Sequence, residues 1–501
     1  MTILTKIKTS LAEKLNHFLG QNTIQPQDFT YPPQPEMGDL SLPCFALAKQ
    51  LGKNPAEVAS QLAAEAVNNP YVRTSRVIGP YLNLVLDKTL IISELFSQIK
   101  TEGDQFGFCL EPQNQRIMVE YSNVNTHKEY HIGHLRNLFY GDAVQRMLSA
   151  SGYQVIPVSY INDFGIHVAK TLWAYLEYYQ GEALPKNKGA FLGKVYVRAS
   201  QELERDKNKQ QLVNFLMKKI ESRQGDEFRL WQKTRQWSIE QFNQIYRDLG
   251  IKFSHVFYES EFIEEGRQMI KELLLRRILS ESEGAIVANL EKYGLGVLVF
   301  QRSDGTTLYP VADLPLARTK IEKYNLDISI YVVDVRQSLY FRQLFKVLEL
   351  LGYRQKMVHL AYDFVKLPEG MMSSRRGRVI TYEELKDELL KKARQETQRR
   401  HPDWTQEAIE EVAWKLAKGA LKFELLKVGA DQVITFDINQ ALRFDGFTAA
   451  YLQYAYARMQ SILAKVNQQE LQNLVPEFEV LSEPAEEELI MYIAQFPEAI
   501  E

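Results

Sequence analysis

The feature that most constrains the fold is a strand–turn–helix–strand pattern between residues 117 and 158. Residues 117–121 form a short apolar run with β-branched side chains, which predicts a buried strand. Apolar residues recur at helical spacing over 135–148, and a second apolar run follows at 155–158. This is one unit of a parallel α/β sheet, where ligands bind beyond the carboxyl ends of the strands.

The turn between the first strand and the helix reads His131-Ile132-Gly133-His134. We expect two imidazoles beside unpaired backbone N–H groups, at the positive end of a helix dipole that favours an anion. Gly133 has no Cβ, so a flat base can lie against the backbone. Histidine can donate to phosphate oxygens as charge moves in a transition state. The turn therefore predicts a nucleotide site, and the alternative is two unrelated histidines near a helix start.

Charge and cysteine content narrow the classes of protein. A formal net charge of -3 gives no global sign of nucleic-acid binding, so any RNA contact needs a local basic surface. The two cysteines, Cys44 and Cys109, exclude a zinc ribbon and fit a reducing compartment. No apolar run is long enough for a membrane span. We therefore expect a cytoplasmic protein without zinc. The candidate basic surface, whose alternative is a solvated helix face, comprises Lys391, Lys392, Arg394, Arg399 and Arg400.

Residues 1–110 indicate a separate small α/β unit. Apolar residues recur at helical spacing from Ile3 to Leu19, with charges between them, which predicts an amphipathic helix and not a secretory signal. A helix is predicted over about 55–68, and alternation over 77–86 predicts one strand. Gly103 and Gly107 then predict a linker.

The remaining chain predicts strands followed by helices. Residues 169–253 indicate a helical insertion, broken at Gly181, Pro185 and Gly189. We expect three further strands to complete the sheet that begins at residue 117, at 285–290, 296–300 and 328–333. From residue 381 to 501 almost everything predicts helix.

Several motifs in order carry a resemblance to a known family. Glu120 to Lys128 lead into the His-x-Gly-His turn, and a second candidate loop follows at 368–377. Gly38-Asp39 and residues 447–458 match near the two ends. The chain resembles a class I aminoacyl-tRNA synthetase and, more narrowly, an arginyl-tRNA synthetase.

The resemblance implies an α/β fold: a Rossmann-like parallel-sheet catalytic domain, a small N-terminal α/β domain and a C-terminal α-helical bundle. Residues 1–110 would be an additional tRNA-binding domain, and 111–380 the catalytic domain with the insertion at 169–253. Residues 381–443 would be a helical connection that contacts the tRNA stem. Residues 444–501 would be a DALR anticodon-binding domain, with tRNA contacts from Tyr451, Tyr454 and Arg458.

The resemblance also implies an arginine pocket. A guanidinium carries five donors in a fixed fork, which carboxylates satisfy in pairs. From sequence alone, each of the matching residues also has an ordinary structural explanation. An acid can cap a helix or lie on the surface, a tyrosine can belong to the core, and a polar residue can form a turn or lie on the surface. The matching residues are Glu120, Ser122, Asn123, Asn125, Glu259, Tyr309, Asp313 and Gln337.

The implied ATP site joins the turn to the second loop. Lys128, whose alternative is a solvated lysine, matches a lysine on the phosphates. In the second loop, Met371 and Ser374 replace the two lysines of the class pattern Lys-Met-Ser-Lys-Ser, which affects the expected rate more than the reaction. Arginine suits phosphate at least as well as lysine. The implied catalytic residues are Lys128, His131, His134, Arg375 and Arg376, and the implied ATP-binding residues are His131, Gly133, His134, Met372, Ser373, Ser374 and Arg375.

The implied reaction is ATP-dependent ligation of L-arginine to tRNA(Arg) through an arginyl-adenylate. The implied partners are arginine, tRNA and ATP with Mg²⁺. The sequence indicates no protein ligand for the Mg²⁺ ion. The resemblance further implies that tRNA must bind before arginine is activated, and we expect a monomer. Two alternatives stay open: a small-molecule nucleotidyltransferase with the same turn, and a non-catalytic tRNA-binding protein.

The C-terminus carries one further expectation. Members of the family continue past the stretch that matches residues 483–501. A helix that ended there would leave apolar side chains without partners. We therefore expect a C-terminally incomplete form, with Leu489, Ile490, Tyr492 and Ile493 short of contacts.

Overall fold

The computed structural model describes residues 2–109, 111–366, 379–443, 446–466 and 475–500. Its helices are α1 (Ile3–Leu19), α2 (Phe45–Leu51), α3 (Pro55–Ala66), α4 (Lys88–Glu102), α5 (Ile132–Ala150), α6 (Ile166–Tyr178), α7 (Lys188–Arg205), α8 (Gln210–Glu221), α9 (Gly225–Leu249), α10 (Ile263–Leu275), α11 (Pro310–Tyr324), α12 (Ser338–Leu351), α13 (Tyr382–Arg400), α14 (Gln406–Leu426), α15 (Ile438–Ala441), α16 (Ala449–Leu463) and α17 (Pro484–Ile500). Its strands are β1 (Leu40–Pro43), β2 (Val72–Ile78), β3 (Tyr81–Leu86), β4 (Arg116–Glu120), β5 (Gln154–Ile161), β6 (His255–Tyr258), β7 (Ser280–Ser282), β8 (Ala285–Asn289), β9 (Val297–Gln301), β10 (Ile328–Asp334), β11 (Lys356–Tyr362), β12 (Val365–Lys366) and β13 (Ile434–Thr435).

The described chain forms two compact units. The first comes from Met1–Pro112, Ala150–Gly152 and Val466–Glu501, and the second from Gln113–Ser149 and Tyr153–Lys465. The domain boundaries expected from sequence stay predictions. Among the described helices, none is both long and apolar enough to cross a membrane.

The first unit packs helices on a three-stranded antiparallel sheet of order β1-β3-β2. The predicted amphipathic helix is confirmed as α1, which buries Leu4, Ile7 and Leu11 completely. The single strand predicted over 77–86 is wrong, because β2 and β3 pair as a hairpin there. Gly79 takes the left-handed φ of 59° that lets the chain reverse.

Helix α17 belongs to the first unit and packs on it with one face. Ile490 is only 4% exposed and lies in the same apolar cluster as α1 and α4, so the expectation that it lacks partners is wrong. Lys8 of α1 forms an ion pair with Glu498 at 2.9 Å. Leu489 and Tyr492 are on the other face and are exposed, whereas Ile493 is half-buried.

The second unit is built around a five-stranded parallel sheet of order β11-β10-β4-β5-β6. The predicted strand–helix–strand unit is confirmed as β4, α5 and β5. Three apolar residues of β4, at 117–119, are at most 2% exposed, as expected of a strand covered on both faces. Since the chain runs outward from β4 to β5 and later returns to β10 on its other side, β4 and β10 flank the point where strand order reverses. Such a point forms a ligand-binding crevice at the carboxyl ends of the strands.

Two of the strands expected to complete this sheet do not join it. The prediction is confirmed for β10 but wrong for β8 and β9, which pair antiparallel with each other in a separate sheet of order β7-β8-β9. A parallel neighbour needs a crossover of a dozen or more residues, and only seven separate β8 from β9. Strands β6 and β11 are instead the two edge strands of the main sheet.

Helices α6 to α9 confirm the helical character of the predicted insertion. The break predicted at Gly189 is wrong, because this glycine lies in the first turn of α7 after the N-cap Asn187. A Cβ at Gly189 would lie 2.6 Å from the Gln241 side chain of α9. The glycine therefore permits close helix packing instead of ending the helix.

Candidate active site

Two adjacent cavities lie beyond the carboxyl ends of the parallel strands. Cavity A, of about 540 Å³, is lined by the turn before α5 and by the ends of β4, β10 and β11. Cavity B, of about 530 Å³, is lined by β4, β5, β10, α11 and α12. They share a wall of Asn123, Asn125, Val333, Arg336 and Gln337.

The two histidines of the turn lie side by side on cavity A. Their rings stack with centroids 3.8 Å apart. Nδ1 of His131 accepts from the backbone N–H of Gly133, and Nδ1 of His134 accepts from the N–H of His131, both at 3.2 Å. In a neutral imidazole whose Nδ1 accepts, the proton is on Nε2. Each histidine therefore offers one Nε2–H donor.

The backbone N–H groups at this helix start are not unpaired, so that part of the prediction is wrong. The N–H groups of His134 and Leu135 donate to the His131 carbonyl, and that of Ile132 donates to the Ile380 carbonyl. The imidazoles cap the remaining two N–H groups. A phosphate here would meet the side-chain donors together with the helix dipole.

Burial keeps both imidazoles neutral. Burial and the nearby Lys128 ammonium lower the pKa of His131 to about 4. Burial, His131 and Lys128 lower the pKa of His134 as well. At neutral pH the pair consists of uncharged donors, which can strengthen contacts to phosphate without carrying the positive charge themselves.

Cavity B is acidic. Glu120, at the end of β4, is 2% exposed and forms an ion pair with Lys320 of α11. Asp313, one turn into α11, accepts from the Tyr340 hydroxyl. Glu259 follows β6, does not itself line cavity B, and accepts from the Asn162 amide at 3.2 Å.

Four buried oxygen atoms on cavity B have no hydrogen bond within 3.5 Å among the described residues, although the Tyr160 hydroxyl is near enough to Asp313 to act on its pKa. They are Oδ1 of Asn123, Oδ1 of Asp313 and the hydroxyls of Tyr160 and Tyr331. Buried polar atoms are nearly always paired, and unpaired ones mark a place where a ligand supplies the partner. The amide and carboxylate oxygens can only accept, so the missing partner is rich in donors.

The cavity acids differ in charge. Burial is the main cause that raises the pKa of Glu259 to about 8, so this carboxyl is mostly protonated at neutral pH. Burial raises the pKa of Asp313 to about 6 although the Tyr340 hydroxyl acts against it. Asp313 is therefore the ionised carboxylate with a free oxygen in cavity B.

The structure brings most of the sequence-predicted pocket residues together. Asn123, Asn125 and Gln337 are on both cavities, and Glu120, Tyr309 and Asp313 line cavity B. Ser122 lines cavity A and is fully buried, and its hydroxyl lies 2.9 Å from the Tyr246 hydroxyl.

Other predicted residues do not line either cavity, or they lie outside the described ranges. The Lys128 ammonium lies over the Tyr196 ring, 5.3 Å from its centroid. Tyr451 and Tyr454 are exposed on α16, and so is Arg458. In the candidate basic surface, ion pairs with Glu396 and Glu410 engage Arg399, Arg400 and Arg394. The second-loop predictions, namely Met371, Met372, Ser373, Ser374, Arg375 and Arg376, lie outside the described residues.

Comparisons with known proteins agree with this geometry. The family model "tRNA synthetases class I (R), catalytic domain" matches residues 96–436. The chain belongs to the arginyl-tRNA synthetase family. Models of the family's N-terminal domain and of the DALR anticodon binding domain match residues 5–86 and 452–501.

Individual relatives cover most of the chain. An arginine–tRNA ligase of Bdellovibrio bacteriovorus is 37% identical over 86% of this chain and 75% of the relative. One of Clostridium perfringens is 35% identical over 94% of this chain and 83% of the relative. The solved structure of Thermus thermophilus arginyl-tRNA synthetase superposes with a TM-score of 0.81 at 26% identity, covering 99% of this chain and 87% of that one.

Sequence reasoning missed ten of the residues that line cavity B, and five of these contact ionisable groups in or beside it. Asn162 directly follows β5, which is a signal that the strand pattern offered. The other four are on helices or inside strands, where a polar or aromatic side chain has many ordinary explanations. The five are Tyr160, Asn162, Lys320, Tyr331 and Tyr340.

Proposed function

We propose that the chain attaches arginine to tRNA in an ATP-dependent reaction, with the arginine side chain in cavity B and ATP in cavity A. The shared wall of Asn123, Asn125 and Gln337 would then hold the amino and carboxylate end of arginine between them. This places the arginine carboxylate next to the nucleotide phosphates. Alignment of the two reactants supplies much of the rate.

The observation that carries the proposal is the set of unpaired acceptors in cavity B. A guanidinium brings five N–H donors and one positive charge. Asp313 offers a carboxylate oxygen without a partner, and Asn123, Tyr160 and Tyr331 add three further oxygens. Other side chains of similar length would leave these groups unpaired, which costs about 1–3 kcal/mol for each buried polar group.

The reaction has two steps. A carboxylate oxygen of arginine forms a bond to the α-phosphorus of ATP, the bond to the bridging oxygen breaks, and pyrophosphate leaves. The 2′- or 3′-hydroxyl of the terminal adenosine of tRNA then forms an ester with the arginyl carbon, and AMP leaves with the bonding electron pair. Neither step needs a protein nucleophile.

We assign the phosphate contacts to the Nε2–H groups of His131 and His134. Donors fixed in place before the reaction stabilise charge that grows on the phosphates and need no reorganisation. Lys128, Arg375 and Arg376 would add positive charge, and arginine can hold two phosphate oxygens at once.

Mg²⁺ would enter with ATP. The described residues contain no group of three metal ligands, and Asp334, the carboxylate on cavity A, accepts from Arg336. We therefore expect the phosphates to hold the ion, where it would neutralise their charge. The chain's own contribution is to position the nucleotide.

We further propose that the chain acts as a monomer and needs bound tRNA before it activates arginine. Helix α16 supplies an exposed surface on which Tyr451, Tyr454 and Arg458 can meet tRNA. Aromatic side chains stack on unpaired bases and arginine pairs with phosphate.

Arginine-dependent exchange of pyrophosphate into ATP tests the proposal. The expected result is exchange with arginine and total tRNA, none with other amino acids, and none without tRNA. Exchange with a different amino acid would contradict the assignment of cavity B. Binding of tRNA without exchange would indicate a non-catalytic protein.

A further inference from the structure

Lys320 is a buried cation that the proposed reaction does not use. It lies on α11 two turns after Asp313, so both side chains face cavity B. Its side chain is 1% exposed. Burial lowers the pKa of Lys320 but the Glu120 carboxylate raises it, with a net upward direction, so the ammonium stays charged.

The surroundings of this ammonium form a complete binding site for a primary ammonium ion. Glu120 supplies the counter-charge, and the Asn123 amide fixes the second Glu120 oxygen at 3.1 Å. The Lys320 Nζ lies 4.8 Å, 5.7 Å and 6.0 Å from the ring centroids of Tyr331, Phe257 and Tyr160. A carboxylate with several aromatic faces is an environment that binds ammonium groups.

The unpaired oxygens of cavity B have different chemistry. Those of Asn123, Tyr160 and Asp313 come from three different parts of the unit, namely the segment after β4, strand β5 and helix α11. A guanidinium can meet several of them at once because its donors form a planar fork, whereas an ammonium is a compact point charge. Cavity B thus contains a compact cation site that the protein fills itself and a spread acceptor site that is open.

We propose that Lys320 is a specificity-determining residue: its ammonium occupies the compact site beside Glu120 and so denies that site to substrates that end in an ammonium, such as lysine or ornithine. The inference rests on the proposed binding of arginine in cavity B. Discrimination between arginine and lysine then comes partly from the exclusion of lysine by the Lys320 ammonium, in addition to favourable contacts with arginine. With Glu120 neutralised and Glu259 mostly protonated, one unpaired negative charge, on Asp313, meets the single positive charge of arginine.

The test compares binding of L-arginine and L-lysine to the full chain by titration calorimetry. In Lys320→Met the ratio of the lysine to the arginine dissociation constant should fall by about tenfold or more, since the vacated site accepts the lysine ammonium. Lys320→Arg keeps the ion pair and should leave the ratio within about threefold of wild type. The dissociation constant of lysine should itself fall in Lys320→Met, which damage to the fold cannot cause.

Further variants keep the test decisive. Lys320→Gln retains a donor for Glu120, which protects folding, and should lower the ratio in the same way. Lys320→Met combined with Glu120→Gln removes the counter-charge, so the ratio should return toward wild type. Lys323→Met, at an exposed position of the same helix, is the matched control.

A folded Lys320→Met or Lys320→Gln protein with the wild-type ratio would overturn the inference. So would a wild-type chain that binds neither amino acid, or lysine as tightly as arginine. A wild-type chain that binds arginine but does not charge tRNA would instead contradict the proposed function, and the ratio in the variants would still test the role of Lys320.

Discussion

At the scale of single residues, Asp313 connects the structure of cavity B to its choice of ligand. Its Oδ2 is held by the Tyr340 hydroxyl, which orients the carboxylate, and its Oδ1 is buried without a partner among the described residues. Because the carboxylate is already oriented, it can accept a hydrogen bond from the ligand without rearranging. The affinity for arginine should therefore depend strongly on this carboxylate.

Asp313→Asn keeps the size of the side chain and removes its charge. We expect the KM for arginine to rise by about 10- to 100-fold, because a hydrogen bond to a charged group contributes about 1.5–3 kcal/mol. Pyrophosphate exchange measures this change. Asp226→Asn, at a side chain that is 90% exposed on α9, is the control and should have no effect. An unchanged KM for arginine in Asp313→Asn would contradict the role of Asp313 in binding arginine.

The raised pKa of Asp313 also predicts the pH dependence of arginine binding. The ionised form binds the guanidinium and predominates above the pKa of about 6. Below that pH, protonation should weaken binding by about tenfold for each pH unit. Calorimetry between pH 4.5 and pH 6, where Glu259 stays protonated, measures the slope in wild type, and the slope should be absent in Asp313→Asn. The same slope in the variant would show that another group titrates.

His127 predicts acid sensitivity of the fold. It is fully buried, and its ring nitrogens lie 2.9 Å from the Thr126 hydroxyl and 2.8 Å from the Thr234 hydroxyl. Burial lowers its pKa from 6.5 to about 3. As the pH falls, the unfolded state binds a proton at His127 before the folded state does. The stability contribution is therefore fully present above pH 6.5 and is lost between pH 6.5 and about pH 3, by about 1.4 kcal/mol per pH unit.

Urea unfolding at several pH values tests this sign. His127→Asn should show a shallower loss of unfolding free energy between pH 6 and pH 4.5 than wild type. The exposed His17→Asn should keep the wild-type slope. A steeper slope in His127→Asn would contradict the assignment.

At the scale of elements, helix α11 positions the pocket, and its place depends on close packing with α10. A Cβ at Gly266 of α10 would lie 1.7 Å from the Val311 carbonyl oxygen. Gly266→Ala should therefore displace α11 and destabilise the protein by about 1–3 kcal/mol. Because α11 also carries Asp313 and Lys320, arginine binding should weaken together with stability.

Urea unfolding and calorimetry on the same preparation separate the two effects. Lys271→Ala, at an exposed position of α10, is the control. If Gly266→Ala lost stability but bound arginine as wild type does, the position of α11 would not limit binding.

Local patterns explain which elements could be predicted. The unit from β4 to β5 combines two apolar runs with a helical period between them, and all of this is written in adjacent residues. Strand β6 has four residues, and β11 is only partly buried, so neither has a strong pattern of its own. The partner of a strand is decided by tertiary packing, which explains why β8 and β9 could be predicted as strands but were placed in the wrong sheet.

The same limit applies to the site. The His-x-Gly-His turn follows a strand and opens a helix, so its role could be read locally, and Asp313 could be proposed through the resemblance. Lys320 could not, because it is one of three basic residues on α11 and only its burial against Glu120 distinguishes it. The capping of backbone N–H groups by the two imidazoles also depends on side-chain geometry that sequence does not contain.

At the scale of the whole molecule, recognition of tRNA and of arginine should be separable. Tyr451 and Tyr454 are 56% and 60% exposed on α16, and neither lines cavity A or B. Tyr454→Ala should raise the KM for tRNA by about tenfold, since stacking on one base contributes about 1–3 kcal/mol. Arginine binding should stay unchanged. Tyr293→Ala, at a tyrosine that is 36% exposed and lies outside both cavities and outside the DALR match, is the control in a tRNA-charging assay.

The central claim is that this chain is an enzyme that joins arginine to tRNA. Its most direct test is the charging of total tRNA by the full chain with ATP and each amino acid in turn. We expect alkali-labile aminoacyl-tRNA to form with arginine and not with lysine or ornithine. Charging with another amino acid, or no charging with any of them although tRNA binds, would contradict the claim.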